Sequence, residues 1–195
     1  MGSMVCGSAA RMAELAVRAL YETGERGVVL SGWARLGPEL LDASRPDASA
    51  VLAYAKSRIY FGDDLPHEWL FPRCKMTVHH GGSGTTHAAL RSGRPTVVTP
   101  VWLDQFTYRR LVVKAGVGVG AKQLHKLRVA ELAAAIRSIT PEMEARAEEM
   151  GRRARDEDGA AAVVRTVEAF LREKVAMGEW RDDFQERVVG AYERV

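Results

Sequence analysis

The stretch VHHGGSGTTHAALRSGRPTVVTPVWLDQF, residues 78–106, holds two short apolar runs, each followed by a polar turn and a helical segment. The first run, MTVHH (76–80), has strand composition and ends on two histidines. GSGTTHAALRSG (82–93) then opens on glycines and closes on Gly93, as a helix does. The second run, PTVVTP (95–100), leads into DQFTYRRLVVKAG (104–116), a further helix closed by a glycine, and then into a brief strand, VGVG (117–120). Short, nearly continuous apolar strands alternating with helices predict a parallel sheet covered on both faces.

The same rhythm extends toward the amino end. Ser8 precedes AARMAELAVRALYETG, apolar at helical spacing and closed by Gly24, so it reads as a capped helix. GVVLSG (27–32) and SRIYFG (57–62) read as strands, DASRPDASA (42–50) as a loop, and PHEWLFPRC (66–74) as a helical turn between prolines. From Lys126 onward the pattern is helical, with breaks near Pro141, Gly159 and Gly178. The expected fold is therefore a doubly wound, Rossmann-like α/β domain over residues 1–175, followed by an amphipathic helix over 176–195. In that last helix Trp180, Phe184, Val188 and Tyr192 fall on one stripe that has to be buried, against this domain or at an interface.

Composition narrows the function. A chain of 195 residues with 47% apolar and 27% charged content has the make-up of one soluble globular domain. Net charge is +3, and the basic groups, Arg109–Arg110 and Arg152, Arg153 and Arg155 among them, form no stripe, so nucleic acid is not the expected partner. No apolar run approaches the roughly 20 residues that cross a bilayer, and no secretory leader opens the chain. Cys6 and Cys74 fit free thiols in a reducing cytoplasm.

Sheets of this kind bind ligands beyond the carboxyl ends of their strands, which is where the quoted stretch places its polar residues. A helix amino terminus offers unpaired N–H groups and partial positive charge to a phosphate. Gly81, Gly82 and Gly84 let the backbone come close to an anion, and Ser83, Thr85 and Thr86 add hydroxyls. His79, at the strand end, can donate to a phosphate oxygen or, as imidazolium, offset the charge of a departing diphosphate. The same glycines also suit a helix start built for tight packing, and both readings stand. The dinucleotide fingerprint fails because its third glycine position is His87, and no P-loop is present. His79, His80 and His87 lack the spacing for a metal site, so no metal is expected. Asp104 and Gln105, at the end of the next strand, can exchange hydrogen bonds with vicinal hydroxyls, as sugar recognition requires. Asp104 also suits a plain helix cap. A diphosphate site beside a hydroxyl site suggests a nucleotide-sugar.

The run PHEWLFPRCKMTVHHGGSGTTHAALRSGRPTVVTPVWLDQFTYRRLV…GVGVG, residues 66–120, resembles the donor-binding half of sterol 3-beta-glucosyltransferases. LSGWARLG (30–37) and DEDGAAAVVRTVEAFL (156–171) extend the likeness more weakly. These are inverting, two-domain enzymes of the GT-B fold. The resemblance implies UDP-glucose, or a related UDP-sugar, as donor substrate and no cofactor. It implies that His79 and the turn Gly81 to Thr86 hold the diphosphate, and that Asp104 and Gln105 hold the sugar. Ser31, Gly32 and Trp33, with Asp64, Leu65, Pro66 and His67, resemble the region around the nucleoside base. Trp33 would suit the core equally, while Trp69 and Phe71 read as packing residues. Plant small-molecule relatives carry a ribose-binding glutamate eight residues after the first histidine; here that position is His87.

The resemblance further implies an acceptor-binding amino-terminal half that carries the catalytic base. No such half is found here, since the first histidine is His67. The expected catalytic set in this chain is therefore empty, and the chain alone is expected to be inactive. A sterol or other lipid acceptor would be met only through that half, in a cytoplasmic enzyme peripheral to membranes. The strand that normally opens the donor half is also not evident. Gly2-Ser3-Met4 aligns with its end, or is a cloning scar. In a 3-2-1-4-5-6 order that strand is central, and its loss predicts two open edges within the sheet. A fragment, a self-associating chain, a subunit of a split transferase and a non-catalytic nucleotide-sugar-binding module all remain open at this point.

Overall fold

The structure, a computed structural model, describes residues 6–189, with the side chains of 188 and 189 left aside. Gly2, Ser3, Met4, the Val188 side chain and Tyr192 lie outside the described residues. The chain forms two compact units that divide between Ala154 and Arg155. The boundary expected at residue 175 falls further along, inside the second unit.

Helix α1 (Ala9–Thr23) begins where Ser8 accepts the Arg11 amide at 3.1 Å and ends where Gly24, at φ +70°, donates to the carbonyls of Leu20 and Tyr21. Its inner face, Met12, Leu15 and Ala19, is buried against α6 (Val129–Arg137) through Leu132, Ala133 and Ile136. Arg18 is buried on the same helix, which is tolerable because its guanidinium pairs with Glu14 and with Asp47 at 2.6 Å.

Strands β1 (Gly27–Leu30) and β2 (Ile59–Gly62) pair in parallel, with Gly27 opposite Ile59 and Leu30 opposite Gly62. Strands β3 (Thr77–His79), β4 (Thr96–Val98) and β5 (Gly118–Gly120) form a second parallel ladder, with Thr77 opposite Thr96 and Thr96 opposite Gly118. The two ladders are not paired with each other. Val97 and Val98 are fully buried, as a central strand covered on both faces requires.

The connections are α2 (Ala48–Arg58), the short α3 (His67–Leu70), α4 (Ser83–Ser92) and α5 (Gln105–Ala115). Helix α2 is an addition to the sequence reading, and it takes Ser57 and Arg58 from the strand expected at 57–62. Its sequence, ASAVLAYAKSR, buries only Val51 and Ala55, so no broad apolar stripe announces it. The first unit ends within helix α7 (Pro141–Asp156). The second unit holds α8 (Gly159–Phe170) and α9 (Glu179–Phe184), on which Val163, Val167, Phe170, Trp180 and Phe184 are exposed. Trp180 and Phe184 stack at 5.5 Å but are about half exposed, so among the described residues the expected burial of the stripe is not seen, and the helix expected over 176–195 is α-helical only over Glu179–Phe184.

Candidate functional site

His79 ends β3 and is 3% exposed. Its carbonyl accepts the Thr99 amide at 2.9 Å, which ties it to the β4 side of the sheet. Its Nδ1 accepts the N–H of Gly81 at 3.0 Å. That bond leaves the ring proton on Nε2, and Nε2 is buried with no partner. A buried donor without an acceptor is costly in a native fold. Burial, reinforced by the neighbouring His80, holds the imidazole down to about 3. His79 is thus neutral near pH 7, and of the two roles read from the sequence the geometry favours a neutral donor over an imidazolium.

Gly81 sits at φ +92°, and a Cβ there would lie 2.7 Å from Val98 Cγ1. Only glycine lets the chain turn there between β3 and α4. Gly82 precedes α4 without any side-chain cap, so the first-turn N–H groups keep their bonding capacity. The hydroxyls divide by role. Thr86 is buried and donates to the Gly82 carbonyl at 2.9 Å, so it braces the turn. Ser83 is exposed, and its oxygen accepts the Tyr108 hydroxyl at 3.0 Å. Thr85 is half-buried, and a Cβ on Gly84 would meet nothing within 4 Å, so the outer side of the turn is open.

The second sequence-read pair lies beside this turn, since a Cβ on Gly81 would be 3.2 Å from the Gln105 carbonyl. Asp104 stands at the head of α5, but its side chain makes no capping bond there; the carboxylate is exposed and its backbone carbonyl takes the Thr107 and Tyr108 amides. Gln105 is buried, and its Oε1 accepts the amides of Val101 at 2.7 Å and Trp102 at 3.2 Å. Its carbonyl oxygen therefore shapes the preceding loop, in which Leu103 takes φ +53°. Asp104 and Gln105 differ in kind: one faces solvent and the other organises the loop.

The residues that the resemblance placed around the nucleoside follow the ends of β1 and β2. Ser31 is buried, donating its amide to Gly62 and its hydroxyl to the Leu36 carbonyl at 2.9 Å. Gly32, at φ +52°, opens a short 3-10 turn, Gly32–Ala34, that holds Trp33 79% exposed, which removes Trp33 from the core. Asp64 and Pro66 are exposed, Leu65 packs with Leu70, Phe71 and Ala89, and His67 stacks on Phe71 at 4.5 Å. Phe71 packs as expected. Trp69 does not: it is half exposed beneath the Arg73 guanidinium, 4.6 Å from the ring.

One residue, Tyr108, escaped the sequence reading, and His87 gains a neighbour through it. Tyr108 links α5 to the glycine turn through Ser83, and His87 meets the Tyr108 ring edge-on at 6.2 Å. The available signal was that Tyr108 lies one helical turn beyond Asp104, on the same side of α5. Cys74 is partly buried, its thiol donates to the Leu70 carbonyl, and burial pushes that thiol up. Among the described residues no group of His, Cys, Asp and Glu could hold a metal ion. Among the described residues no helix is long and apolar enough to cross a membrane.

A parallel α/β domain with a glycine turn and a buried histidine donor at its carboxyl edge has the fold of glycosyltransferases. It superposes on Os79 from O. sativa in complex with UDP with TM-score 0.64 at 21% identity, over 81% of this chain and 36% of that one. It superposes on the kitacinnamycin glycotransferase with TM-score 0.63 at 18% identity, over 86% and 40%. Residues 39–170 match the Erythromycin biosynthesis protein CIII-like, C-terminal domain, and the chain belongs to that family. It is 34% identical over 165 residues to the sterol 3-beta-glucosyltransferase UGT80A2 of Arabidopsis thaliana, and 35% identical over 167 residues to the sterol 3-beta-glucosyltransferase of Komagataella phaffii. Each match covers 84% of this chain, but only 24% and 13% of those relatives' own lengths.

Proposed function

We propose that this chain is the donor-binding half of a UDP-glucose-dependent, sterol-type glycosyltransferase. The observation that carries the reading is the partnerless Nε2–H of His79, buried at the end of β3 in the residue that leads into the glycine turn and α4. A diphosphate placed there accepts from His79 and from the backbone of residues 81–86, and gains the favourable end of the helix dipole. The Asp104 carboxylate, one strand over, accepts from hydroxyls of the sugar. Trp33 and the segment 64–67 bound the nucleoside side.

In the complete enzyme a base on the acceptor half removes the proton of a sterol 3-hydroxyl. The oxygen then attacks the anomeric carbon as the bond to UDP breaks, with inversion. UDP leaves with the bonding electron pair, and His79 and the α4 terminus stabilise the charge that develops on it. This requires no metal and no cofactor. The working location is cytoplasmic, at the membrane surface that holds a sterol acceptor.

Calorimetric titration with UDP and UDP-glucose tests the reading. His79→Ala should weaken both ligands by roughly tenfold or more, the cost of a hydrogen bond to a charged group. Asp104→Ala should weaken UDP-glucose alone. Binding of neither ligand to the folded wild-type chain would overturn the proposal.

A further inference from the structure

One side chain joins the starts of α4 and α5. The Tyr108 hydroxyl donates to the Ser83 Oγ at 3.0 Å. Ser83 is the first residue of α4. Tyr108 lies in the first turn of α5, where its amide donates to the Asp104 carbonyl at 3.0 Å. Tyr108 therefore ties the residue that opens the helix after the glycine turn to the residue that heads the next helix. His87, one turn beyond Ser83 on α4, meets the Tyr108 ring edge-on at 6.2 Å, so the phenol is held from two positions of α4.

The direction of the Tyr108–Ser83 bond decides what Ser83 can do. A phenol is the more acidic of the two hydroxyls and gives its hydrogen, while the serine oxygen receives it and keeps a hydrogen of its own. Among the described residues the Ser83 hydroxyl donates to no acceptor. Thr86 differs, since its hydrogen goes to the Gly82 carbonyl at 2.9 Å. The Tyr108–Ser83 bond contributes little to the fold. Ser83 is exposed and Tyr108 half-buried, so water can serve either hydroxyl, and fixing the serine side chain costs entropy. What the bond does set is the direction of one donor.

We infer that Tyr108 is a positioning residue, which aims the Ser83 hydroxyl as a donor to a phosphate oxygen of a nucleoside diphosphate at the start of α4. This rests on the donor-site reading above and adds to it a residue from the neighbouring helix. A serine hydroxyl free to rotate divides its hydrogen among several staggered directions, and a ligand that binds it has to select one. A hydroxyl already accepting from Tyr108 is ordered before the ligand arrives. A phosphate that takes the serine hydrogen in turn strengthens the bond from Tyr108, because a hydroxyl that donates accepts more strongly. Through the amide bond of Tyr108 to the Asp104 carbonyl, the same side chain links the diphosphate side of the site to the carboxylate proposed for the sugar.

Calorimetric titration of the full chain with UDP, on the wild type, Tyr108→Phe, Ser83→Ala and the double variant, tests this. Tyr108→Phe and Ser83→Ala should each weaken UDP a few-fold, about the worth of one hydrogen bond, and the double variant should bind no more weakly than Ser83→Ala alone. Ser83→Thr, which keeps a hydroxyl in place, should stay within about twofold of the wild type, a rescue that a purely structural role would not give. Urea midpoints should agree among all of these chains. UDP binding unchanged by Tyr108→Phe overturns the inference and leaves the donor site standing. So does a double variant whose losses multiply, or a Ser83→Thr chain as weak as Ser83→Ala. A Tyr108→Phe chain whose urea midpoint falls along with its affinity makes Tyr108 a support of the fold, and overturns the inference too. No UDP binding by the folded wild type overturns the donor site, and the inference with it.

Discussion

Replacing His79 by asparagine should remove most of the acid sensitivity of the first unit. The imidazole titrates near 6.5 in an unfolded chain and is held down to about 3 in the fold. Between those values the unfolded chain binds a proton that the folded chain does not. Stability is therefore fully present above about pH 6.5 and falls as pH drops toward 3. The slope approaches about 1.4 kcal/mol per pH unit, so the loss at pH 5 is about 2 kcal/mol. Burial is the main cause, and the geometry agrees with it: protonating Nδ1 would set an N–H against the Gly81 N–H now donating to it at 3.0 Å. Asparagine keeps a carbonyl oxygen near that place and does not titrate. Burial also lowers the His80 pKa, but that contribution is common to both proteins and cancels in the difference. Urea unfolding at about pH 7.5 and about pH 5 measures it. A wild-type chain that loses no more stability on acidification than His79→Asn would refute the assignment of a buried, neutral, accepting Nδ1.

The remaining expectations concern the site and its supports. UDP-glucose, whose diphosphate carries no group titrating near neutrality, should bind with nearly constant affinity between about pH 5 and pH 8, because His79 is already a neutral donor; calorimetry showing tighter binding as pH falls through about 6.5 would restore the imidazolium role. Gly81→Ala should cost about 2 kcal/mol or more, from the positive φ and the 2.7 Å approach to Val98, and should lower the urea midpoint. Tyr108→Phe removes the donor that holds the Ser83 hydroxyl and should weaken UDP binding by a few-fold at unchanged stability, read by calorimetry and urea unfolding together. Met12→Ala, at a fully buried position of α1, should cost about 2–5 kcal/mol in the same unfolding assay.

What the sequence discloses here follows from how locally each feature is determined. The strands of residues 95–100 and 117–120 and the helices that follow the glycine turn are legible because β-branched runs, glycine stops and a helix-period stripe all agree over short windows. His79 and Gly81 are legible for the same reason, since a strand end, a positive-φ turn and a helix start follow one another in sequence. Helix α2 is not, because alanines carry it and only Val51 and Ala55 need burial. Gln105 reads as a ligand group beside Asp104, yet its oxygen is taken by two amides of the loop before it. Tyr108 becomes visible only when α5 is set beside α4. Trp33 and Trp69 show the limit most simply: a tryptophan in sequence carries no mark of whether the fold will cover it.

The position of the open edge bears on which parts of the proposed site depend on it. His79 is fixed from the β4 side, through its carbonyl and Thr99, and Gly81 is fixed from the same side by Val98 and Gln105. The glycine turn therefore rests on the three-stranded ladder. Ser31, Trp33 and the segment 64–67 rest on the two-stranded ladder, joined to it through the Ser31–Gly62 bond and the packing of Leu30 with Leu65. The spacing of the two ladders is set among the described residues by one exposed ion pair, Glu25–Lys75, and by the helices above and below. A strand bonded to both edges would fix that spacing through main-chain bonds.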